Sequence, residues 1–343
     1  MIAAEFAYLD TRVNLYARQL LELDQINSLI EHEHTRDEDT LNPSQSSAAL
    51  HDADDLDQSN VNILLSELTI LVRPLSGAPR ELLGYWAHRF ELGNLKTIIR
   101  GKMANQPRPL IEARLQDMAG FTRLPIDELL QSDTPAELLR RLERTPYAEM
   151  ASRARHLLER GEALFALDAA LDRRYFSGLA LLSSATDSGP RQLLRKLVGS
   201  IVDRVNLVWL LRYRYANNLP PAQAYYLLIP ASHRLLPPHM QQLAQCASFE
   251  DAISSLPGPF DKIVGGARNS TDVTLRLERE SWRIANNVLR FSAFNVARAL
   301  AYMMLRERDL RRLRAIARGR SMRLEGSVIR SALGIAEGGL EAN

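Results

Sequence analysis

The sequence predicts an all-α protein, and three observations carry that prediction. A twelve-residue pattern with helical spacing occurs three times, helix-start signals stand ahead of apolar periodic runs, and strand signals are thin. No stretch shows sustained alternation, an Asn-Gly hairpin turn or a βαβ rhythm.

The repeated pattern runs from Glu91 to Lys102, from Asp203 to Arg214 and from Asp309 to Arg320. It reads as an acid, two residues, Asn or Arg, Leu, three residues, a small or aliphatic residue, Arg, any residue, then Lys or Arg. Leu95 and Ile99, Leu207 and Leu211, and Leu313 and Ala317 stand four apart, which puts each pair on one helix face. Asn94 and Asn206 flank that stripe, with Arg312 in the third copy. Asn is a mediocre helix former that competes for backbone hydrogen bonds, so its recurrence suggests a partner on a neighbouring segment. Arg100, Arg212 and Arg318 also share one position, where pairing with an acid or a helix end is the plain expectation.

Along the chain, the first expected helix is Phe6 to Leu29, with Leu9, Val13, Tyr16 and Leu20 on one stripe. Glu31 to Asn62 is acidic and Ser/Asn-rich and reads as a solvated insertion, and helical periodicity returns at Ile63. Pro74, Gly77 and Pro79 mark a break before a long helix, Arg80 to Met103. Thr134-Pro135-Ala136-Glu137 is a helix start with a hydroxyl cap, proline at the first position and glutamate at the third. Ser248-Phe249-Glu250-Asp251 opens a matching helix 114 residues later. Asn94 to Asn206 and Leu124-Pro125 to Leu236-Pro237 both span 112 residues, which argues for internal duplication. Leu171-Asp172 and Leu277-Glu278 each stand 32 residues ahead of a motif acid, and Leu9-Asp10 is an earlier relative. The expected organisation is three related helical units. The first covers 1–150 with an acidic insertion near 31–62, the second 155–268, and the third, shortened at its C-terminus, 272–343.

Composition bounds the function. With 46% apolar and 24% charged residues the chain is an ordinary soluble type, and a net charge of +2 describes no general polyanion binder. The charge is uneven. Glu31 to Asp57 holds nine acids against Arg36, while Asp272 to Asn343 holds fourteen arginines against eight acids. A single cysteine, Cys246, rules out an internal disulfide and a cysteine-rich zinc site. The N-terminus lacks the regions of a signal peptide, and no run reaches the roughly 18 apolar residues of a membrane span. The chain is therefore expected to be soluble on its own, and the single cysteine fits a reducing compartment.

No phosphate loop, dinucleotide fingerprint or nucleophile elbow is present, so neither a catalytic site nor a cofactor site is expected. His32 and His34 are two apart in a polar stretch, the wrong spacing for a helical metal pair, so no metal site is expected. Val264-Gly265-Gly266-Ala267-Arg268 has the glycines of a phosphate nest but also serves as a plain break between units. Trp86, Trp209, Trp282, Met303 and Met304 read as core. Arg306 to Arg320 holds seven arginines against Glu307 and Asp309. Three readings stay open: a nucleic-acid stripe, a solvated face with a Glu307–Arg311 pair, or a protein-docking surface. The candidate partner contacts are Arg306, Arg308, Arg311, Arg314 and Arg320.

With the three copies in order, the chain resembles the C-type subunit of the A/V-type (vacuolar-type) rotary ATPases, a family that includes the d-type subunit of the eukaryotic V-ATPase. The residues carrying the resemblance are Glu91 to Lys102, Asp203 to Arg214, and Arg306 to Arg320 followed by Arg323 to Leu333. Tyr8 to Leu21 also looks like the family's opening helix. The resemblance implies a three-lobed, all-helical funnel with pseudo-threefold symmetry and no active site. It implies a seat on the cytoplasmic side of the membrane proteolipid ring, with the rotor-shaft subunits (D/F type) held in the funnel. The implied work is mechanical: passing torque so that ATP turnover and proton or sodium transport stay coupled. Three similar units, each burying helical stripes, give a stiff socket an independent rationale. Arg312 departs from the pattern, which elsewhere has Asn. The alternative from another class is an all-α nucleic-acid-binding or scaffold protein using its C-terminal arginines.

Overall fold

The computed structural model describes residues 2–31, 53–145, 147–148, 151–152, 155, 164–186 and 188–335. Among them every regular element is helical. The chain divides into two compact units, a split one (Met1–Pro74 with Ser292–Asn343) and a continuous one (Leu75–Phe291).

The split unit contains α1 (Ile2–Ala17), α2 (Leu23–Glu31), α3 (Ala53–Val72), α15 (Val296–Ser321) and α16 (Gly326–Ala332). Its core forms where α1 and α3 pack along α15. Leu9, Val13, Leu64, Leu68, Leu71, Leu300, Tyr302 and Met303 are buried there. The continuous unit is built on α4 (Gly77–Met103), α8 (Leu164–Ala185), α9 (Ser188–Leu211) and α14 (Ser270–Phe291). Helix α8 packs against both α4 and α9, and α9 also packs against α14. Shorter helices fill the intervals: α5 (Arg108–Glu112), α6 (Ile126–Leu130), α7 (Pro135–Leu142), α10 (Pro221–Tyr226), α11 (Pro237–Gln245), α12 (Phe249–Ser254) and α13 (Phe260–Val264). Trp86 is buried under the Arg89 guanidinium, 3.8 Å from the ring centre, while Trp209 and Trp282 are half-buried.

The cap signals act as their chemistry requires. Thr134 accepts the Glu137 N–H at 3.2 Å to open α7, and Glu137 reaches back to the Asp133 N–H at 2.9 Å. Ser248 accepts the Asp251 N–H at 3.1 Å to open α12. Two expectations need correction. The single helix expected over Phe6 to Leu29 is two helices, broken at 18–22, although its apolar stripe runs through the break. A distant acceptor takes the Leu21 N–H, and Gln25 caps the Glu22 N–H at 3.0 Å. Helix α3 also begins ten residues earlier than Ile63, so the expected loop over Glu31 to Asn62 is helical at both ends. Acidic composition did not exclude this, since carboxylates are favoured in a first turn. His32 and His34 lie outside the described residues.

The first and third motif helices end alike. At the end of α4, Asn105 adopts φ +50°, and the Gln106 and Asn105 N–H groups bond back to the carbonyls of Gly101 (2.9 Å) and Lys102 (3.1 Å). At the end of α15, 218 residues later, Arg323 adopts φ +55° with the same pair of bonds to Gly319 and Arg320, both 2.9 Å. This is the left-handed Schellman ending. A β-carbon on Gly101 would meet Ile111 Cγ1 at 2.6 Å, and one on Gly319 would meet Ile329 Cγ1 at 2.7 Å. In both copies the short following helix sinks an isoleucine onto a glycine.

The middle copy reverses the sizes. Tyr213 occupies the glycine position and the buried Ala224 the isoleucine position, both within one apolar cluster. Helix α9 runs into a π turn, Arg212–Ala216, which adds one residue before Asn218 (φ +53°) repeats the ending. The Leu219 N–H then reaches the Tyr213 carbonyl at 2.8 Å. The π turn moves the repeat offset from 112 to 113 and so gives the tyrosine room.

Adding a methyl group at Gly101 forces Ile111 out of its seat. Gly101→Ala is expected to lower stability by about 1–3 kcal/mol in denaturant melts. The same change at the exposed Gly189, which has open space around it, should cost nothing.

Candidate functional site: the repeated helix clamp

Each motif acid is buried, with Glu91 at 0%, Asp203 at 2% and Asp309 at 0% exposure, and each receives backbone N–H groups from a distant segment. Glu91 accepts from Leu124 at 2.8 Å, from Arg123, and from the Tyr147 hydroxyl at 3.1 Å. Asp203 accepts from His233 at 2.9 Å and Arg234 at 2.8 Å. Asp309 accepts from Leu21 at 2.8 Å and from its neighbour Arg308 at 2.8 Å. In each case the N–H donors lie a few residues ahead of a short helix: α6, α11 and α2 respectively.

The motif asparagines bind backbone in both directions. Asn94 donates to the Gln116 carbonyl at 2.7 Å and accepts the Gln116 N–H at 2.8 Å. Asn206 donates to the carbonyls of Ile229 (3.2 Å) and Ala231 (3.1 Å) and accepts the Ile229 N–H at 2.8 Å. A side-chain amide satisfies loop groups that would otherwise be stranded in the core. Arg312 holds this position in the third copy and is also buried.

The last motif base works on the other end of the clamped helix. Lys102 Nζ donates to the carbonyl of Leu130, the final residue of α6, at 2.6 Å. Arg214 Nε donates to the Ala244 carbonyl near the end of α11 at 2.7 Å. Eleven residues separate acid from base on the motif helix, roughly 16 Å of rise. One helix therefore holds a shorter one at both termini, with a cation on the carbonyl end where the dipole favours it.

A second recurrence carries a further link. Asp172, Glu278 and Asp10 each follow a buried leucine, and each pairs with a cation on a motif helix. The pairs are Lys96–Asp172, Arg204–Glu278 and Arg298–Asp10, all at 2.5 Å. Asp10 also accepts the Phe294 N–H at 3.1 Å.

Burial shapes the electrostatics. Asp203 is held above the usual carboxylate range by desolvation, which outweighs the N–H groups of His233 and Arg234. Desolvation raises Asp309 as well, against the pull of Arg308 and the Leu21 N–H. Tyr147 is pushed up by burial and then by Glu91. His88, close to Tyr85, is lowered to about 4 by burial and then by the charge of Arg123.

The C-terminal arginines divide. Arg306 is 2% exposed and bonds Glu67 at 3.1 Å, while the Tyr302 hydroxyl donates to the same carboxylate at 2.6 Å. Arg308, mostly buried, pairs with Asp309. Arg306 is thus engaged inside its own unit, and Arg308, 14% exposed at its side chain, is engaged by its neighbour. Arg311 is 56% exposed and pairs with Glu307, as the i,i+4 spacing predicts. Arg314 and Arg320 are half-buried. Arg100, Arg212 and Arg318 are all exposed, and Arg100 pairs with Asp168.

Sequence reasoning missed Glu67, His88 and Tyr147. Glu67 had a signal, an acid inside the buried stripe of Leu64, Leu68 and Leu71. Tyr147 had none, since its partner Glu91 is 56 residues away. The Gly265–Gly266 turn is held by Arg276, which donates to the Gly265 carbonyl at 2.5 Å. Among the described residues no group of three His, Cys, Asp or Glu side chains could hold a metal ion, and no helix is long and apolar enough to cross a membrane.

Among the described residues every regular element is helical, and the motif helices hold shorter helices through buried acids. The family model of the ATP synthase (C/AC39) subunit matches residues 9–332, so the chain belongs to that family, which holds the C- and d-type subunits of the A/V-type ATPases. It is similar to the A-type ATP synthase C subunit of Methanosarcina mazei, 26% identical over 96% of this chain and 93% of the relative. It is also similar to those of Methanosphaera stadtmanae (24%; 92% and 84%) and Methanocaldococcus jannaschii (22%; 96% and 86%).

The titration of His88 can be read directly. Its folded pKa lies below the unfolded value near 6.5. The unfolded chain therefore binds the extra proton between pH 6.5 and 4, and stability is lost as pH falls through that window. The raised carboxylates act in the opposite direction, so the variant is needed to isolate the effect. Subtracting the stability–pH profile of His88→Gln from the native one should leave a loss of up to about 3 kcal/mol between pH 6.5 and 4. Asp203→Ala, which takes the buried acceptor from the His233 and Arg234 N–H groups, should cost about 1–3 kcal/mol at pH 7 in the same melts.

Proposed function

We propose that this chain is the non-catalytic central-stalk subunit of an A/V-type ATPase, a socket between the rotor shaft and the membrane proteolipid ring. The observation that carries the reading is the buried-acid contact of the clamp, which recurs in three copies in a chain that belongs to the ATP synthase (C/AC39) family. Buried acids tie backbone to backbone at each copy, which favours stiffness over chemistry, and a torque-bearing part needs stiffness. On this reading the three sequence units close as a funnel around the shaft tip, and the protein sits peripherally on the cytoplasmic face of the membrane. It would have no substrate of its own and would work within a hetero-oligomeric ATPase. The relatives' name, as C subunits of A-type ATP synthases, supports that assembly.

The exposed Arg311 and the half-buried Arg314 remain the arginines best placed to face an acidic surface on shaft or ring. Arg306 and Arg308 already hold acids within the split unit, which weighs against the nucleic-acid alternative.

Affinity purification of the tagged chain from its own cells tests the reading: shaft and proteolipid subunits should come with it. Arg311→Glu with Arg314→Glu should cut their recovery about tenfold while leaving the melting profile in place. Binding of nucleic acid by the isolated chain, falling steeply with salt, would support the alternative instead.

A further inference from the structure

The third motif copy is incomplete in sequence and complete in space. In the first copy, α4 is followed by its left-handed ending, α5 and then Leu124, whose N–H meets Glu91 two residues before α6. In the third copy, α15, its ending and α16 repeat that course at an offset of 218, as Gly319, Arg323 and Ile329 match Gly101, Asn105 and Ile111. There the parallel changes hands. The N–H that meets Asp309 belongs to Leu21, two residues before α2, and 288 positions away in the chain.

The buried register agrees. The fourth residue of α6, α11 and α2 is Leu129, Met240 and Ile26, with exposures of 0%, 3% and 0%. The motif helices present Ile98, Leu210 and Ile316 at matching positions, all buried. Ile26 and Ile30 close over Ile316, Ile329 and Ile335 in one small cluster.

We propose that Leu21–Glu31 is the closing segment of the third copy, carried at the other end of the chain, and that it acts as a clasp able to open by itself. Its motif acid holds it by fewer backbone bonds than hold its counterparts. Asp309 takes one backbone N–H from it, whereas Glu91 and Asp203 take two each. Its last residue, Glu31, is tied to Arg330 by a pair in which Glu31 is 64% exposed. A segment held at its start by a single backbone bond and at its end by an exposed ion pair opens at a lower free energy than the unit it covers. Such a clasp lets Asp309 and the isoleucine cluster be uncovered without unfolding α1, α3 or α15.

Hydrogen exchange of the full-length chain, followed by mass spectrometry, tests this. Amides of 21–31 should exchange at least tenfold faster than those of 124–130 and 235–245. Ile26→Ala should speed 21–31 and 326–335 together by a further tenfold, leaving the other two segments unchanged. Exchange of all three segments at one common rate overturns the clasp. A circular permutant joining residues 343 and 1 through a flexible linker, and opened between 32 and 52, tests the assignment separately. It should keep the native protection of 21–31. A permutant that loses that protection, or does not fold, counts against it.

Discussion

A buried carboxylate that accepts backbone N–H groups from a remote segment is the contact on which this structure rests. Glu91, Asp203 and Asp309 have almost no access to water, so each is held in place by the donors that replace its hydration. Remove the donors and the charge is stranded; remove the charge and the donors are stranded. That reciprocity fixes where the chain must return after each motif helix. The paired asparagines and terminal bases then determine how the returning helix lies.

The same reciprocity explains the arginine-rich helix. A run of seven arginines suggests one surface, yet α15 has a buried side and the run winds around it. Arg306 faces inward because Glu67 and Tyr302 wait there, and Arg308 is drawn to Asp309. What is left outward is a thinner stripe than composition suggests, and its chemistry belongs to particular positions.

Much of this was legible beforehand where the signal was local or repeated. Thr134 and Ser248 announced their helices through bonds three residues long. The motif acids and asparagines were visible because they recurred, and their need for a neighbouring partner followed from how poorly Asn suits a helix interior. The recurrence of Leu-Asp and Leu-Glu marked Asp10, Asp172 and Glu278 before their cations were known. The break at 18–22 was hidden, since the apolar stripe continues through it and the residue responsible is Asp309. The π turn was hidden as well, because helix propensity over Arg212–Ala216 does not distinguish a five-residue turn from a four-residue one. Only Tyr213 in place of glycine hinted that the middle copy needed more space.

That tyrosine has a further consequence. Glycine with isoleucine, and tyrosine with alanine, are two solutions to the same volume, and they do not mix. A hybrid carrying the ending of α4 before α10 would leave a hole, and one carrying the end of α9 before α5 would collide. Exchange between the matching stretches would therefore yield misfitting joints, so each joint tolerates only its own pair of residues.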